Sequence, residues 1–166
     1  FRILDKRTDI NVVAINDLSN KESIAYLLKY DTIMGRFKGN VSIGDNILTT
    51  DNQSVKIINE KDPVKLPWNK YDIDIVIEST GVFRKSTELK EHLSSGAKKV
   101  ILTVPAKDKI DNTIVLGVNE HTLESTHKIV SNASCTTNCL APMAKILDEE
   151  FGIVQGVMNT VHAYTN

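Results

Sequence analysis

The chain has 166 residues, 41% hydrophobic and 25% charged, with 20 basic and 21 acidic side chains and a net charge of −1. These values suit about one soluble globular domain. No basic run or aromatic–basic interleaving asks for nucleic acid, and no apolar run approaches membrane-spanning length. No signal peptide is visible. The two cysteines argue against a disulfide-rich secreted fold and for a reducing, cytoplasmic compartment.

In chain order, Phe1-Arg2-Ile3-Leu4 reads as the second half of a helix. Ile10 to Ile15 is a nearly continuous apolar run, the pattern of a parallel strand covered on both faces. Ser19 is expected to cap the next helix, with Glu22 as its capping-box partner and Ile24, Leu27 and Leu28 on the apolar stripe. Gly44-Asp45-Asn46 and Asp51-Asn52 are turn signals between short β-rich pieces, so antiparallel hairpins are expected from Val41 to Ile58. Ile73 to Ile77 predicts a second core strand, Thr87 to Leu93 a helix stopped by Gly96, and Val100 to Thr103 a third strand. Val115 and Ile129-Val130 are weaker strand candidates. The alternation of strands and helices predicts an α/β fold with an open parallel sheet.

Chemistry concentrates in Ser131-Asn132-Ala133-Ser134-Cys135-Thr136-Thr137-Asn138-Cys139. Leu140, Met143, Ala144 and Leu147 then recur at helical spacing, Pro142 is expected in the tolerant early part of that helix, and Gly152 should end it. Cys135 therefore falls at a helix start, where unpaired N–H groups and a partial positive charge favour thiolate. Small neighbours leave room for a carbonyl group, and free N–H donors could hold an oxyanion. Cys139, on the side of Met143, is expected to be a buried apolar residue. A disulfide between the two is poor on geometry, and ligand spacings for a metal are missing.

Val157 to His162 is a strand-like run ending in a histidine. Alone, such a histidine is more often structural or exposed. Beside Cys135 it is the natural partner, able to take the thiol proton and later to act as base. Asp17, at the end of the first strand, is either a helix-capping or solvated acid or the acid that holds the ribose hydroxyls of a dinucleotide. In the second case its charge disfavours a 2′-phosphate and so favours NAD. Thr80-Gly81 ends the Ile73 strand; it is either a plain turn or a close backbone approach to a cofactor.

The cysteine string, continued as Leu140-Ala141-Pro142, closely resembles the active-site segment of the phosphorylating glyceraldehyde-3-phosphate dehydrogenase family. Val13-Ala14-Ile15-Asn16-Asp17, Tyr30-Asp31-Thr32 with Gly35-Arg36-Phe37, Asp62-Pro63, Leu66-Pro67-Trp68, Glu78-Ser79-Thr80-Gly81-Val82-Phe83 and Val161-His162-Ala163-Tyr164-Thr165 resemble further landmarks in the same order. Departures are Met34, Val104 and Asn159, where members usually carry a polar residue, a small residue and threonine.

The resemblance implies a Rossmann-like doubly wound parallel sheet lacking its first strand and glycine-rich turn. On this reading residues 1–131 are an N-terminally incomplete NAD-binding domain, and 132–166 begin an α+β catalytic domain. It implies Cys135 and His162 as catalytic residues. Asp17, Lys61, Thr80, Gly81, Phe83 and Thr103 would contact NAD. Ser134, Thr136 and Thr165 would contact substrate phosphates. As lone residues, Lys61 would be a solvated charge, and Ser134, Thr136 and Thr165 a cap or strand surface. No metal is expected. The implied reaction is NAD-dependent oxidative phosphorylation of glyceraldehyde 3-phosphate in glycolysis, by a cytoplasmic homotetramer using inorganic phosphate. Erythrose-4-phosphate dehydrogenase and a non-catalytic nucleotide-binding fragment are the alternatives.

Overall fold

The computed structural model describes residues 1–163; Tyr164, Thr165 and Asn166 lie outside the described residues, and the contact expected of Thr165 lies there with them. The chain divides into two compact units, Phe1–Pro67 and Trp68–Asn166.

The first unit is built on a mixed sheet. Strand β1 (Ala14–Asn16) leads into helix α1 (Lys21–Lys29), a small hairpin of β2 (Tyr30–Asp31) and β3 (Gly35–Arg36), and the meander β4 (Val41–Gly44), β5 (Ile47–Thr50) and β6 (Ser54–Ile58). The sheet order is β1-β6-β5-β4, parallel at β1–β6 and antiparallel elsewhere. The expected hairpins are therefore present. Asp45 and Asn46 both have positive φ, the geometry of a tight turn that matches strand twist. Leu48, Val55 and Ile57 form the core, with Ile15 and the α1 residues Ile24, Ala25 and Leu28 packed against it.

Three expectations here need correction. Ser19 does not cap α1: its own N–H is held by the Asp17 carboxylate (2.7 Å), and Asn20 accepts from the Ser23 amide instead (2.7 Å). The helix expected at the start of the chain is only a 3-10 turn, Leu4–Lys6. That turn is pinned by Asp5, which is buried and accepts from the Thr50 hydroxyl (2.5 Å) and the Asn52 amide (2.9 Å). The expected strand from Ile10 also shrinks to three residues, Ala14–Asn16, the stretch that pairs with β6.

The second unit carries a wholly parallel sheet. Its strands are β7 (Ile75–Glu78), β8 (Lys99–Leu102), β9 (Asn112–Thr113) and β10 (Ile129–Ser131), in the order β7-β8-β10-β9. Helix α2 (Ser86–Ser94) joins β7 to β8 and buries Leu89 against Val100, Leu102 and Ile129. The Val115 expectation misses by two positions. Its amide bonds the Asn119 side chain (2.7 Å) and its carbonyl takes turn bonds from Val118 and Asn119, so it belongs to a turn.

Helix α3 (Cys135–Phe151) starts on Cys135 and stops at Gly152, φ +70°, as expected. Pro142 sits in the helix interior rather than its first turn, so Asn138 loses its usual i+4 donor. Cys139, expected to be buried, is exposed, and no α3 side chain is buried. Nothing among the described residues covers the face carrying Met143, Ile146 and Leu147. Residues 153–163 form no strand despite their strand-like composition. Val157 and Val161 are exposed, and no neighbouring strand pairs with them among the described residues.

Gly96, after α2, has φ +115°, and a Cβ there would lie 2.5 Å from the Asn69 backbone nitrogen. Backbone cannot yield as a flexible side-chain tip can. Gly96→Ala is therefore expected to destabilise the second unit by about 2–4 kcal/mol. Urea denaturation of the natural-length protein checks this, and an unchanged midpoint would contradict the clash.

Candidate active site

In a parallel sheet all carboxyl ends fall on one side, and ligands bind there. In the second unit the segments after β7, β8 and β10 are also tied to one another. The Thr103 amide and hydroxyl both reach the Glu78 carbonyl (3.0 and 3.3 Å), linking the ends of β8 and β7. The Asn132 amide donates to the Leu102 carbonyl (2.9 Å), and the Ser131 hydroxyl donates to the Val104 carbonyl (2.7 Å). These bonds link the end of β10 to β8. Thr80-Gly81, Thr103 and the cysteine segment thus emerge from the same edge of one sheet.

The turn into α3 is compact. Ala133 is buried with φ +59°, and its amide is held by the Ser131 hydroxyl (3.0 Å). Ser134 is the N-cap; its hydroxyl accepts from the Thr137 amide (3.0 Å) and pairs with the Thr137 hydroxyl (2.7 Å). The Asn138 side chain closes back on the Asn132 and Ser134 carbonyls (2.7 and 2.9 Å). Cys135 is consequently the first helical residue, exposed, beside amides that have no partner within the helix.

His162 comes to the same turn but not onto the sulfur. Its Nε2 meets the hydroxyls of Thr136 (3.2 Å) and Thr160 (3.1 Å). Among the described residues the ring makes no hydrogen bond to Cys135. Thr136 therefore stands beside both groups, one position from Cys135 and in contact with His162.

Thr80 and Gly81 form a tight exposed turn after β7. Gly81 has φ +73°, and a Cβ built on it would meet no atom within 4 Å. The demand on this glycine is conformational, and the space over it is open to a ligand. Phe83, half-buried, follows.

In the first unit Asp17 is exposed at the carboxyl end of β1. Asn16 and Glu60 exchange two bonds, both 2.9 Å, and the Asn59 side chain donates to the Asp17 carbonyl (3.0 Å). These contacts fix Asp17 and the exposed Lys61 at the ends of neighbouring strands. Sequence reasoning passed over Asn16 and Asn59, because isolated amides carry no signal until the β1–β6 register aligns them.

Glu78 was also missed as a contributor. It is buried, with Oε1 accepting from the Thr80 amide (2.7 Å) and hydroxyl (2.5 Å). Burial pushes its carboxyl up. The bonds from His92 and from the Thr80 hydroxyl and amide outweigh that and hold it below its ordinary range. A signal existed: alternation along β7 puts Glu78 on the face of buried Val76.

The comparisons with known proteins agree with the landmarks. Residues 1–86 match the family model described as glyceraldehyde 3-phosphate dehydrogenase, NAD binding domain. Residues 134–166 match the model of the C-terminal domain of the same family. The glyceraldehyde-3-phosphate dehydrogenase of Borreliella burgdorferi is 57% identical, over 100% of this chain and 50% of its own length. Proteins of the same name from Streptomyces coelicolor and Thermotoga maritima are each 52% identical, over 99% and 100% of this chain and 49% and 50% of their own lengths. The chain thus spans about half the length of the curated relatives it matches.

Proposed function

Because the chain belongs to the glyceraldehyde 3-phosphate dehydrogenase family, we propose that it carries the cofactor-binding part and the nucleophile of an NAD-dependent phosphorylating aldehyde dehydrogenase. The observation that carries this reading is the start of α3: a Ser134-capped helix begins on exposed Cys135, at the sheet edge that also bears Thr80-Gly81 and Thr103. The domain division proposed is at 131/132, between the end of β10 and the cysteine turn.

Cys135 and His162 are the proposed catalytic residues. The Cys135 thiolate adds to the aldehyde carbon, and the helix N-terminal amides hold the developing oxyanion. His162 accepts the hydroxyl proton of the hemithioacetal as hydride departs, leaving a thioester on Cys135. Bound NAD supplies the hydride acceptor. Inorganic phosphate then attacks the thioester carbonyl, the C–S bond breaks, and an acyl phosphate leaves with Cys135 returned as thiolate. Ser134, Thr136 and Thr165 contact phosphate groups in this reading, through short hydroxyls near helix amides.

For the cofactor, the open left-handed Gly81 and the exposed Asp17 carboxylate at a strand's carboxyl end both suit a dinucleotide. Asp17 is proposed to take the ribose hydroxyls and Lys61 to lie near the adenine. Thr80, Gly81, Phe83 and Thr103 are proposed to make the other contacts. Asp17→Ala is expected to weaken NAD binding about tenfold and to narrow the gap to NADP, since a bond to a charged acceptor is lost and a repulsive charge goes with it. Binding of both cofactors by calorimetry checks this. Equal use of NAD and NADP by the unmutated enzyme would contradict the role of the carboxylate.

The proposed physiological setting is glycolysis in the cytoplasm, by a homotetramer. Among the described residues no helix is long and apolar enough to cross a membrane. The deciding experiment is a phosphate-dependent assay of NADH formation by the natural-length protein. Glyceraldehyde 3-phosphate should be the better substrate by kcat/KM; preference for erythrose 4-phosphate would reassign the enzyme.

A further inference from the structure

Behind the Thr80-Gly81 turn lies a chain of buried polar side chains that the reaction above does not use. Trp68, His92 and Glu78 are all buried. The Trp68 indole donates to His92 Nδ1 (3.2 Å), and His92 Nε2 meets Glu78 Oε2 (3.2 Å). An indole N–H can only donate, so Nδ1 must keep its lone pair. The proton of the neutral ring is then on Nε2 and points at the carboxylate. The His92–Glu78 contact is thus a directed hydrogen bond to a carboxylate.

With Oε2 committed to His92, Oε1 takes both the amide and the hydroxyl of Thr80. The Thr80 oxygen in turn accepts from the Val82 amide (3.1 Å), which closes the turn around Gly81. We propose that Glu78 is a positioning residue for the cofactor turn, and that the donor direction running from Trp68 through His92 holds Oε2 and so leaves Oε1 as the acceptor aimed at Thr80. This rests on the reading of Thr80-Gly81 as a cofactor contact.

The direction of the chain gives a test that a merely structural role does not pass. In Glu78→Gln one oxygen acceptor faces three donors: His92 Nε2–H, the Thr80 amide and the Thr80 hydroxyl. Either orientation of the new amide sets a donor against a donor. In the natural-length protein the variant is expected to raise the NAD dissociation constant about tenfold, the scale of one bond to a charged group. Its kcat at saturating NAD should move less than about threefold, because the reacting groups lie elsewhere. Adding Trp68→Phe removes the indole donor. His92 can then carry its proton on Nδ1 and accept the new amide at Nε2, so Trp68→Phe/Glu78→Gln should bind NAD more tightly than Glu78→Gln alone.

Three results would overturn the proposal. Thr80→Val with unchanged NAD affinity would remove the cofactor-contact reading beneath it. Weakened binding by Thr80→Val, with Glu78→Gln unaffected, would leave that reading standing and remove the positioning role. A double variant no better than Glu78→Gln would remove the directed chain. Should Glu78→Gln not fold, nitrogen-15 spectra of the unmutated protein decide. The neutral His92 ring is expected as the Nε2–H tautomer, and an Nδ1–H tautomer would overturn the assignment.

Discussion

Cys135→Ser in the natural-length protein is expected to lower kcat at least about a thousandfold, whereas Cys139→Ser should leave it within about twofold. Exposure does not separate the two thiols, since both are exposed. Position does. Cys135 is the first residue of α3, beside amides without helical partners, and its neighbour Thr136 touches His162. Cys139 is one turn further on, where the amides are already paired and the helix's favourable charge has fallen away. The hydroxyl of serine is slightly smaller and is not ionised at neutral pH, so nucleophilicity is lost and shape is nearly kept. Iodoacetate at limiting ratio, followed by peptide mapping, should mark Cys135 first. Preferential labelling of Cys139, or full activity of Cys135→Ser, would sink the assignment.

Elements whose signals are local were legible in the sequence. The Asp45-Asn46 turn, the Gly152 stop and the start of α3 on Cys135 each follow from a few adjacent residues, and the structure carries all three. The Ser19 miss is local: Ser19 and Asn20 are both good caps, the Asp17 carboxylate two residues back takes the Ser19 amide, and Asn20 takes the cap. The other misses share a cause: their outcome depends on a distant partner. Val157 to His162 has strand composition, but a strand exists only with a neighbour, and none pairs with it among the described residues. Cys139 is expected on a buried face, and among the described residues nothing covers that face of α3. The polar chain behind Thr80 needed the packing of α2 on the sheet before His92 could meet Glu78 and Trp68.

Expressed by itself, the 166-residue chain is expected to fold only marginally and to oxidise no aldehyde. Strand β7 is the edge of its sheet, and Ile75 and Ile77 on it are 49% and 53% exposed. Strand β1 is likewise the edge of the other sheet. Parallel strands of this kind are stable when covered on both faces and paired on both sides. On α3, Leu140, Met143, Ile146 and Leu147 are all substantially exposed. Full burial of each such side chain is worth about 1.5–3 kcal/mol, and a whole domain is stable by only about 5–15 kcal/mol. These four are 37–59% exposed, so about half of that burial is forfeited, a large share of the total. The catalytic consequence follows from the same bareness. Among the described residues no strand partner holds the segment of His162, which is bonded to Thr136 and Thr160 rather than to the Cys135 sulfur. Rate enhancement depends on reacting groups held within a fraction of an ångström, and among the described residues no hydrogen bond holds the proposed pair, His162 and Cys135, together. Urea denaturation followed by circular dichroism should give a broad, low-midpoint transition, with no turnover in the phosphate-dependent assay. A sharp cooperative transition together with NADH production would show that residues 1–166 already contain all that the chemistry requires.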